Sequence, residues 1–553
     1  MNSSLRARVR PAAGVLACLA ALGLPLWSAA ETPPVVHAPA GTLQGQSDGR
    51  LHVFKGIPFA MPPTGARRWK PPLPLPKWQG TRAATKFGDV CVQPASRADS
   101  IYTWQLPAMS EDCLSLNIWA PANARKAPVF VWIHGGSLTT GAGSDKLYDG
   151  SRLAERGLIV VTINYRLGVL GYLAHPQLSA ESRRNVSGNY GLLDQIEALR
   201  WVKRNIAAFG GDASNVTIAG ESAGGLSVMY LMAAPDARGL FAKAIAESAY
   251  MISTPELRGA PYGDAVGEAA GVWLAGKLGV KDLAGLRSMD ALAITNQTAA
   301  SGWLPFGVID GRVLPRQLVD VFDRGEQARV PILAGFNSGE IRSLRFLLPQ
   351  APSEAAAYEK EIRARYGDLS GAFLDHYPAS NVPESMLETT RDAMYGWTAE
   401  RLVAKQTAVG APSFLYYFDH GYPAADEPGL HGFHASELPY VFGTADKTPP
   451  RWPKVPSTQV DMQLSEAILG YWASFARDGK PSAAGEPDWQ PYGTQRAYMA
   501  FEDAPKPKTH LLPGRYELTE QVVCRRRAAG HIPWNWNVGI ASPPLPPEAP
   551  QCR

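Results

Sequence analysis

Residues 215–225 read NVTIAGESAGG, and this stretch decides the fold. Its first half is rich in β-branched and apolar residues, as in a buried strand, and residues 226–232 continue with a helix-compatible run. Between them lies Gly-x-Ser-x-Gly, centred on Ser222. A sharp strand-to-helix turn exposes the serine hydroxyl and crowds its neighbours, so that only glycine fits two residues to either side. We therefore predict that Ser222 is a nucleophile; the alternative is a glycine-rich turn with an idle serine.

Strand and helix patterns alternate along the chain around this turn. Short apolar, β-branched runs predict buried strands at residues 129–133, 158–164, 215–219, 241–246, 330–334 and 414–418. Apolar residues spaced three and four apart predict helices at residues 190–209 and 459–476. The alternation predicts an α/β fold with a large, mostly parallel central sheet and helices on both faces. Helical, irregular stretches at residues 250–331 and 343–411 are expected to be insertions that cover one end of the sheet, within a single domain over residues 31–553.

The composition is that of a globular chain. Hydrophobic residues make up 45% of the 553 residues and charged residues 19%, which excludes a disordered, highly charged protein. Lys and Arg number 54 against 50 Asp and Glu, and the formal charge of +4 offers no electrostatic footprint for nucleic acid. No apolar run after the N-terminal segment approaches the roughly 20 residues that span a bilayer. We expect neither a nucleic-acid partner nor a membrane span in the mature chain.

The first thirty residues carry the pattern of an export signal. Three arginines within the first ten residues precede an uncharged apolar stretch, and Ser28, Ala29 and Ala30 supply the small residues of a cleavage site. We predict a cleaved signal peptide at residues 1–30; an uncleaved anchor helix is the alternative. Cleavage would remove the three arginines and Cys18, so the net charge would fall from +4 to +1 and the five cysteines would become four. The mature protein is then expected in the periplasm or outside the cell, where disulfides persist.

A second stretch, residues 128–140, reads PVFVWIHGGSLTT and predicts a buried strand that ends in a glycine-rich loop. In α/β-hydrolases the loop after such a strand points backbone N–H groups at the developing oxyanion, beside the N–H of the residue after the nucleophile. This assigns Gly136, Ser137 and Ala223 as oxyanion-hole donors, each worth about 3 kcal/mol of transition-state stabilisation. His134 lies at the strand end, so we predict that it forms hydrogen bonds behind the site rather than acting as the base.

Two long motifs, in their usual order, resemble the type-B carboxylesterase family, which includes cholinesterases and bacterial para-nitrobenzyl esterases. Residues 209–224 fit the family's serine signature, and residues 111–119, EDCLSLNIW, are similar to its second signature. The resemblance extends over about residues 34–501 and implies an α/β-hydrolase fold and a serine esterase. Ser115 replaces the usual Tyr or Thr, and Ser137 stands where most members have a third glycine; a serine still has its N–H.

A serine hydroxyl needs a histidine to accept its proton, and in these folds the histidine follows the nucleophile in the chain. The candidates are His376, His420, His431, His434, His510 and His531. Residues 434–443 resemble the family's histidine block, in which the catalytic histidine lies nine residues before a glycine. The resemblance therefore selects His434, and His431 is the alternative.

The acid that orients this histidine belongs on a loop beyond the carboxyl end of a strand. The predicted strand at residues 330–334 leads into such a loop, in which Asn337 and Glu340 resemble the family's N-x-x-E. The resemblance implies that Glu340 is the acid, although Ile341 replaces the glycine that usually follows. Asp310 is the alternative, but its Asp-Gly context is typical of a turn.

Two more polar residues are expected near the histidine. Glu221 resembles a family residue that modulates the charge there, and Ser248 either hydrogen-bonds into the site or is an ordinary buried serine. The chain has no H-E-x-x-H and no C-x-x-C, and His431 and His434 lack a suitable third ligand nearby in the sequence. We therefore expect no metal and no cofactor.

The four cysteines left after cleavage are expected to pair. The resemblance implies a disulfide between Cys91 and Cys113, which would stabilise the fold by about 3 kcal/mol in the chain-entropy model. Cys524 and Cys552 remain, and a bond between them would hold down a Pro-rich tail at about residues 533–553.

Together these features predict an exported serine carboxylesterase that acts on small-molecule esters through an acyl-enzyme and a triad of Ser222, Glu340 and His434. We expect a monomer or a weak homo-oligomer. The alternative is a cholinesterase-like interaction protein that keeps the fold without the chemistry. All three triad positions are occupied in this sequence, which favours the enzyme.

Overall fold

The computed structural model describes residues 33–95, 100–105, 107–532 and 538–552, and its centre is an eleven-stranded sheet. The strands are β1 Val35–Ala38, β2 Gly41–Gln44, β3 Gln46–Ser47, β4 Leu51–Pro58, β5 Thr81–Ala83, β6 Val90–Cys91, β7 Met109–Ser110, β8 Ser115–Pro121, β9 Ala127–Ile133, β10 Ile159–Ile163, β11 Gly211–Glu221, β12 Lys243–Glu247, β13 Ile332–Asn337, β14 Ser413–Phe418, β15 Ala497–Phe501 and β16 Pro505–Thr509. The large sheet has the order β16-β15-β14-β13-β12-β11-β9-β10-β8-β4-β3, while β1, β2 and β5 form a small sheet and β6 pairs with β7.

The middle of the large sheet is parallel and both of its edges are antiparallel. Strands β10, β9, β11, β12, β13, β14 and β15 pair in parallel, whereas β16 at one edge and β8, β4 and β3 at the other run antiparallel to their neighbours. All six predicted strands lie in the parallel part. They are recognisable because a parallel strand covered on both faces needs a continuous apolar run, and every residue of β10 and β12 is buried.

Helices cover both faces of this sheet. They are α1 Ser151–Glu155, α2 Gly168–Tyr172, α3 Pro176–Glu181, α4 Tyr190–Asn205, α5 Ala223–Ala233, α6 Gly267–Lys277, α7 Leu283–Ser288, α8 Ala291–Ala300, α9 Leu318–Asp323, α10 Ala355–Tyr366, α11 Ser370–His376, α12 Val382–Arg391, α13 Trp397–Ala408, α14 Pro423–Asp426, α15 Leu438–Phe442, α16 Gln459–Asp478 and α17 Arg515–Ala529. Helices α4, α5 and α13 pack into one hydrophobic cluster and α1, α15 and α16 into another. The predicted α/β architecture is confirmed.

The two long helices predicted from sequence are both present, with small differences at their ends. The helix expected at residues 190–209 is α-helical only to Asn205 and finishes as a 3-10 turn, after which Gly210 adopts a left-handed conformation (φ +84°). Helix α16 begins where the Thr458 hydroxyl accepts a hydrogen bond from Asp461 N and ends at the left-handed Gly479. Both ends therefore follow from ordinary helix capping.

Two disulfides are present in the structure. Cys91 is bonded to Cys113 and Cys524 to Cys552, with Cα–Cα distances of 5.0 and 5.7 Å. In the part of the chain that the structure describes, no helix is long and apolar enough to cross a bilayer. The predicted signal peptide at residues 1–30 lies outside the described residues, as do positions 533–537 and 553 of the Pro-rich tail.

Candidate active site

Ser222 lies at the turn between β11 and α5, with φ 56° and ψ −120°. This backbone conformation is unfavourable for a residue with a side chain. A Cβ on Gly224 would lie 2.0 Å from the carbonyl oxygen of Ile133, and a Cβ on Gly220 would lie 2.6 Å from the carbonyl carbon of Gly224. The two glycines of the motif are therefore required by close backbone packing. The Ser222 N–H donates to the carbonyl of Glu247 on β12 (2.9 Å), which ties the turn to the sheet.

His434 and Glu340 meet in a buried pair. His434 Nδ1 lies 2.5 Å from Glu340 Oε2, although the two residues are 94 positions apart. Glu340 follows β13, as the sequence predicted, and its other oxygen accepts a hydrogen bond from Asn337 N (2.8 Å). A carboxylate held in this way can fix the tautomer and orientation of an imidazole. The segment carrying His434 also pairs with the acid's loop through a bridge between Gly339 and Phe433.

The second nitrogen of His434 faces another carboxylate. Nε2 lies 3.0 Å from Glu221 Oε1, and among the described residues no hydrogen bond joins Ser222 Oγ to His434. Burial opposes protonation of the ring, but the charges of Glu221 and Glu340 outweigh it and raise the pKa of His434 well above 6.5. Burial likewise raises the pKa of Glu221, an effect that His434 partly offsets. The imidazole is therefore held between two carboxylates, one of which, Glu221, is the residue before Ser222.

The glycine-rich loop after β9 lies against the serine turn. Gly136, Ser137 and Leu138 all have positive φ, at 101°, 55° and 57°. The Gly136 carbonyl accepts hydrogen bonds from the N–H groups of Thr139 and Thr140 (both 2.9 Å), so this carbonyl is engaged within the loop. A Cβ on Gly135 would lie 3.3 Å from Ser222 Cβ, which shows how close the two segments are.

The third expected oxyanion donor lies on the helix side of the same turn. Ala223 is the first residue of α5, so its N–H is one of those that a helix leaves without an intrahelical acceptor. The positive end of the helix dipole also favours negative charge at this position. The loop of Gly136 and Ser137 and the start of α5 thus flank the serine from two sides.

His134 lies behind the loop and is fully enclosed. Its Nδ1 is 2.9 Å from the Gly135 carbonyl, its ring stacks on Tyr165 at 4.5 Å, and the Tyr165 hydroxyl donates to the His134 carbonyl (2.8 Å). Burial lowers the pKa of His134 to about 4, so the ring is neutral at physiological pH. This arrangement favours a structural role over a base, as predicted from its position.

The structure separates the alternative residues from the pair of His434 and Glu340. His431 is partly exposed and lies between Asp419 (3.2 Å) and Asp426 (2.8 Å). Asp310 accepts hydrogen bonds from three successive backbone N–H groups, at residues 312–314, which is the turn role that its sequence context indicated. Neither residue belongs to the His434–Glu340 pair.

Ser248 follows β12 and is completely buried. Its backbone has φ 43°, its N–H donates to the Gly335 carbonyl (2.9 Å), and its Oγ has no hydrogen-bond partner among the described residues. The structure therefore shows no hydrogen bond from the Ser248 hydroxyl into the site, which was one of the two expectations for this residue.

Two buried carboxylates near the site were not singled out from the sequence. Glu247 faces Glu221 across the parallel pair β11–β12 and accepts a hydrogen bond from Trp472 Nε1 (2.7 Å); burial raises its pKa to about 8. Glu437 is hydrogen-bonded to the side chain of Asn337, and burial together with nearby carboxylates raises its pKa well above 4.5. The sequence did offer a signal for each: Glu247 ends an otherwise apolar run, and Glu437 lies within the histidine block.

No group of three or more His, Cys, Asp or Glu side chains is placed to hold a metal ion within the described ranges. The two carboxylates nearest to His434, those of Glu221 and Glu340, form ion pairs with its imidazole. The expectation that activity needs no metal remains a prediction.

Comparison with known proteins shows which family this chain resembles in sequence and in structure. The profile of the carboxylesterase family matches residues 32–518. Fumonisin B1 esterase from Sphingopyxis macrogoltabida is 35% identical, with 87% of this chain and 89% of the relative covered. Para-nitrobenzyl esterase from Bacillus subtilis is 37% identical, with 82% and 91% covered. Among solved structures, a PNB esterase superposes with a TM-score of 0.76 at 33% identity, covering 88% of this chain and 99% of that chain.

The fold and the serine turn define an α/β-hydrolase. The chain belongs to the carboxylesterase family, as the sequence motifs indicated, and it is an enzyme that hydrolyses carboxylic esters.

Proposed function

We propose that the protein hydrolyses small-molecule carboxylic esters through an acyl-enzyme on Ser222, with His434 as the general base and Glu340 as its orienting carboxylate. The observation that carries this proposal is the buried 2.5 Å contact between His434 Nδ1 and Glu340 Oε2, in a ring whose Nε2 also contacts Glu221, the residue before Ser222. A neutral imidazole in this position accepts a proton through Nε2 while the carboxylate stabilises the charge that forms on the ring.

In the first half of the reaction, Ser222 Oγ attacks the ester carbonyl carbon as His434 Nε2 takes its proton. The negative charge that forms on the carbonyl oxygen is stabilised by the N–H groups of Gly136, Ser137 and Ala223. The tetrahedral intermediate then collapses, the bond to the alcohol oxygen breaks, and His434 returns the proton to the leaving alcohol. The acyl group is left on Ser222.

In the second half, water replaces the alcohol. His434 takes a proton from the water, the resulting oxygen attacks the acyl carbon, and collapse of the second intermediate releases the carboxylic acid and returns the proton to Ser222. In the resting site Nε2 lies 3.0 Å from Glu221 Oε1, so the ring has to turn toward Ser222 when the substrate binds. Catalytic hydrogen bonds are often misaligned before the substrate is in place.

The substrate is proposed only as a class. The relatives include enzymes named for esters of unlike structure, fumonisin B1 esterase, para-nitrobenzyl esterase and human cocaine esterase, the last of them 33% identical over 82% of this chain. These names support a small-molecule carboxylic ester and do not single out an acyl or alcohol group.

Replacement of the nucleophile tests the mechanism. Ser222→Ala should lower kcat toward a p-nitrophenyl acyl ester by about 10⁴-fold or more, because no other group can form the acyl-enzyme. Ser214→Ala, an exposed serine on the same strand, is the control and should retain full activity. Wild-type protein should also take up one fluorophosphonate on Ser222. Turnover by Ser222→Ala would refute the mechanism, and a wild-type protein without labelling or turnover would favour the interaction protein.

We further propose that the protein is exported and cleaved after Ala30. The n-region, apolar stretch and small residues at 28–30 support this, and so do the two disulfides, which form and persist mainly in oxidising compartments. N-terminal sequencing of protein recovered outside the cytoplasm should begin at Glu31. A mature chain that starts upstream of residue 29 would contradict it.

A further inference from the structure

The loop closed by the Cys91–Cys113 disulfide reaches the main chain of the proposed base. The Tyr102 hydroxyl lies 2.8 Å from the His434 carbonyl oxygen and 2.8 Å from Ser343 Oγ. A carbonyl can only accept, so the phenol donates to His434, and the Ser343 hydroxyl can donate to the phenol oxygen in turn. Burial raises the pKa of Tyr102 well above 10, which keeps the phenol protonated and able to donate.

Three consecutive carbonyl groups, at residues 432–434, are each held by a different donor. The donors are Gly339 N (2.8 Å), the Asn337 side-chain amide (2.9 Å) and the Tyr102 hydroxyl (2.8 Å). The first two come from the loop that carries Glu340. The Phe433 carbonyl also accepts from Ser436 N (2.9 Å), whereas among the described residues the His434 carbonyl has Tyr102 as its only donor, so Tyr102 holds the peptide on the C-terminal side of His434.

The peptide between His434 and Ala435 leads into an unfavourable backbone conformation. Ala435, the next residue, has φ 68°, a left-handed conformation that an alanine adopts only when its surroundings impose it. If the carbonyl of His434 lost its donor, this peptide would be free to relax toward a more favourable backbone angle. The imidazole would move with it, since the same α-carbon carries both.

The Tyr102 ring is itself fixed in place. It packs edge-on against Trp452 at 5.7 Å, and Trp452 packs against Phe433 at 4.9 Å, so the ring and the histidine segment share one aromatic neighbour. The ends of the loop are also anchored. Arg68 forms a two-pronged ion pair with Glu111 (2.6 and 2.7 Å), next to the disulfide.

We propose that Tyr102 is a positioning residue for the esterase reaction, whose hydroxyl holds the main chain of His434 so that the imidazole stays aligned with Glu340 and within reach of Ser222. This inference rests on the proposed function of His434 as the base. It assigns the disulfide-closed loop a part in catalysis, because that loop carries a donor to the base without touching the reacting atoms.

Tyr102→Phe tests the inference, because it removes the hydroxyl and keeps the ring against Trp452. We expect kcat to fall by about tenfold, the effect of one lost hydrogen bond, while KM changes by less than about twofold. A looser contact with Glu340 would also lower the pKa of His434, so the acid limb of the kcat/KM profile should move to lower pH. A purely structural tyrosine would not move that limb.

Tyr471→Phe is the matched control. Its hydroxyl donates to the Pro487 carbonyl (2.6 Å) from helix α16, in a part of the molecule outside the site, so the variant loses the same kind of bond. We expect both variants to lose melting temperature to a similar degree and only Tyr102→Phe to lose kcat. Equal losses of kcat in the two variants would reduce Tyr102 to a packing residue and overturn the inference.

A double-mutant cycle with Ser343→Ala keeps the test independent of folding defects. The Ser343 hydroxyl is hydrogen-bonded to Tyr102 and can act on His434 only through it, so Ser343→Ala should lower kcat less than Tyr102→Phe does. The double variant should be no slower than Tyr102→Phe alone. Additive losses, or a Tyr102→Phe with wild-type kcat and pH profile, would overturn the inference. Turnover by Ser222→Ala would instead refute the proposed function, so the two failures can be told apart.

Discussion

At the scale of single residues, the site is governed by one imidazole between two carboxylates. His434 contacts Glu340 through Nδ1 and Glu221 through Nε2, and both contacts favour the protonated ring. A general base has to be neutral before it accepts a proton. The raised pKa of His434 therefore predicts that activity is lost on the acid side at a pH above the ordinary histidine value of 6.5.

Glu221→Gln should lower the pH at which activity is lost on the acid side. The variant removes one negative charge from contact with Nε2, which destabilises the imidazolium and lowers the pKa of His434. We expect the acid limb of kcat/KM to shift to lower pH. The measurement is a pH–rate profile on an ester whose own charge does not change with pH. A limb that stays in place, or moves to higher pH, would show that Glu221 does not act on the charge of the base.

Gly224 is required by contact rather than by its conformation. A methyl group here would lie 2.0 Å from the Ile133 carbonyl oxygen, so Gly224→Ala must push β9 and α5 apart. We expect the free energy of unfolding to fall by about 1–3 kcal/mol, and kcat to fall because the serine turn shifts.

The control for this variant is Gly276→Ala, at a glycine of α6 with nothing within 4 Å of the added methyl group. This change should be neutral or stabilise the helix by up to about 0.8 kcal/mol. Thermal melts and ester turnover measure both variants. A Gly224→Ala protein as stable and active as the control would contradict the packing argument.

At the scale of elements, the loop between Cys91 and Cys113 contacts two segments of the proposed active site. Near the Cys91 end, the side chain of Gln93 forms hydrogen bonds with both the N–H and the carbonyl of Gly141 (2.9 and 3.0 Å), just after the glycine-rich loop that follows β9. At the middle of the loop, the Tyr102 hydroxyl donates to the carbonyl of His434. One covalently closed loop thus contacts both the segment after the proposed oxyanion donors and the segment that carries His434.

The double variant Cys91→Ser/Cys113→Ser should therefore lose both stability and activity. Opening a loop of sequence separation 22 costs about 3 kcal/mol in the chain-entropy model, and kcat should fall because Gln93 and Tyr102 lose their support. Chemical denaturation and steady-state kinetics measure the two effects.

The second disulfide provides the comparison. Cys524→Ser/Cys552→Ser opens a loop of separation 28 that links α17 to the C-terminal tail, so we expect a comparable loss of stability with kcat retained. If both double variants lost kcat to the same degree, the effect would be one of global stability and not of the loop.

At the scale of the whole molecule, buried acids set the dependence of stability on pH. Glu247 is completely buried, and burial raises its pKa to about 8. The folded protein therefore keeps a proton that the unfolded chain releases near pH 4.5, so stability falls as the pH rises between these two values.

Glu247→Gln should remove this effect while keeping an acceptor for Trp472 Nε1. We expect the variant to be more stable than the wild type at pH 7–8, by on the order of 1–3 kcal/mol, and about equally stable near pH 4.5. Melting temperatures across this pH range provide the measurement. A variant that is destabilised at pH 8 would mean that the folded protein uses Glu247 in its charged form.

The molecule is also expected to work without a metal. Treatment with EDTA should leave turnover of a p-nitrophenyl ester unchanged, since the proposed mechanism uses only side chains and backbone N–H groups. Loss of activity that zinc or calcium restores would contradict this expectation.

Strand prediction was limited by how far burial extends along each strand. The central strands each contain a run of buried, mostly apolar residues, whereas β16 reads PKPKT with four of its five residues exposed, and β4 carries His52 and Lys55 and changes register between Phe54 and Ile57. An edge strand keeps polar residues on its open side and lacks a continuous apolar run. The edge strands were therefore not predicted, and with them the antiparallel borders of the sheet.

The sequence by itself determined the serine turn, the positions of the strands around it and the family, because these depend on short-range patterns: glycines that permit a tight turn, and apolar periods that permit a strand or helix. The family resemblance already indicated Glu340 and Glu221 as partners of His434. Only the tertiary structure showed that Tyr102, 332 positions away, contacts the main chain of His434 and that Glu247 meets Glu221 through strand register. Contacts of this kind follow from the path of the whole chain, and so do the burial and pKa values that set the chemistry of the site.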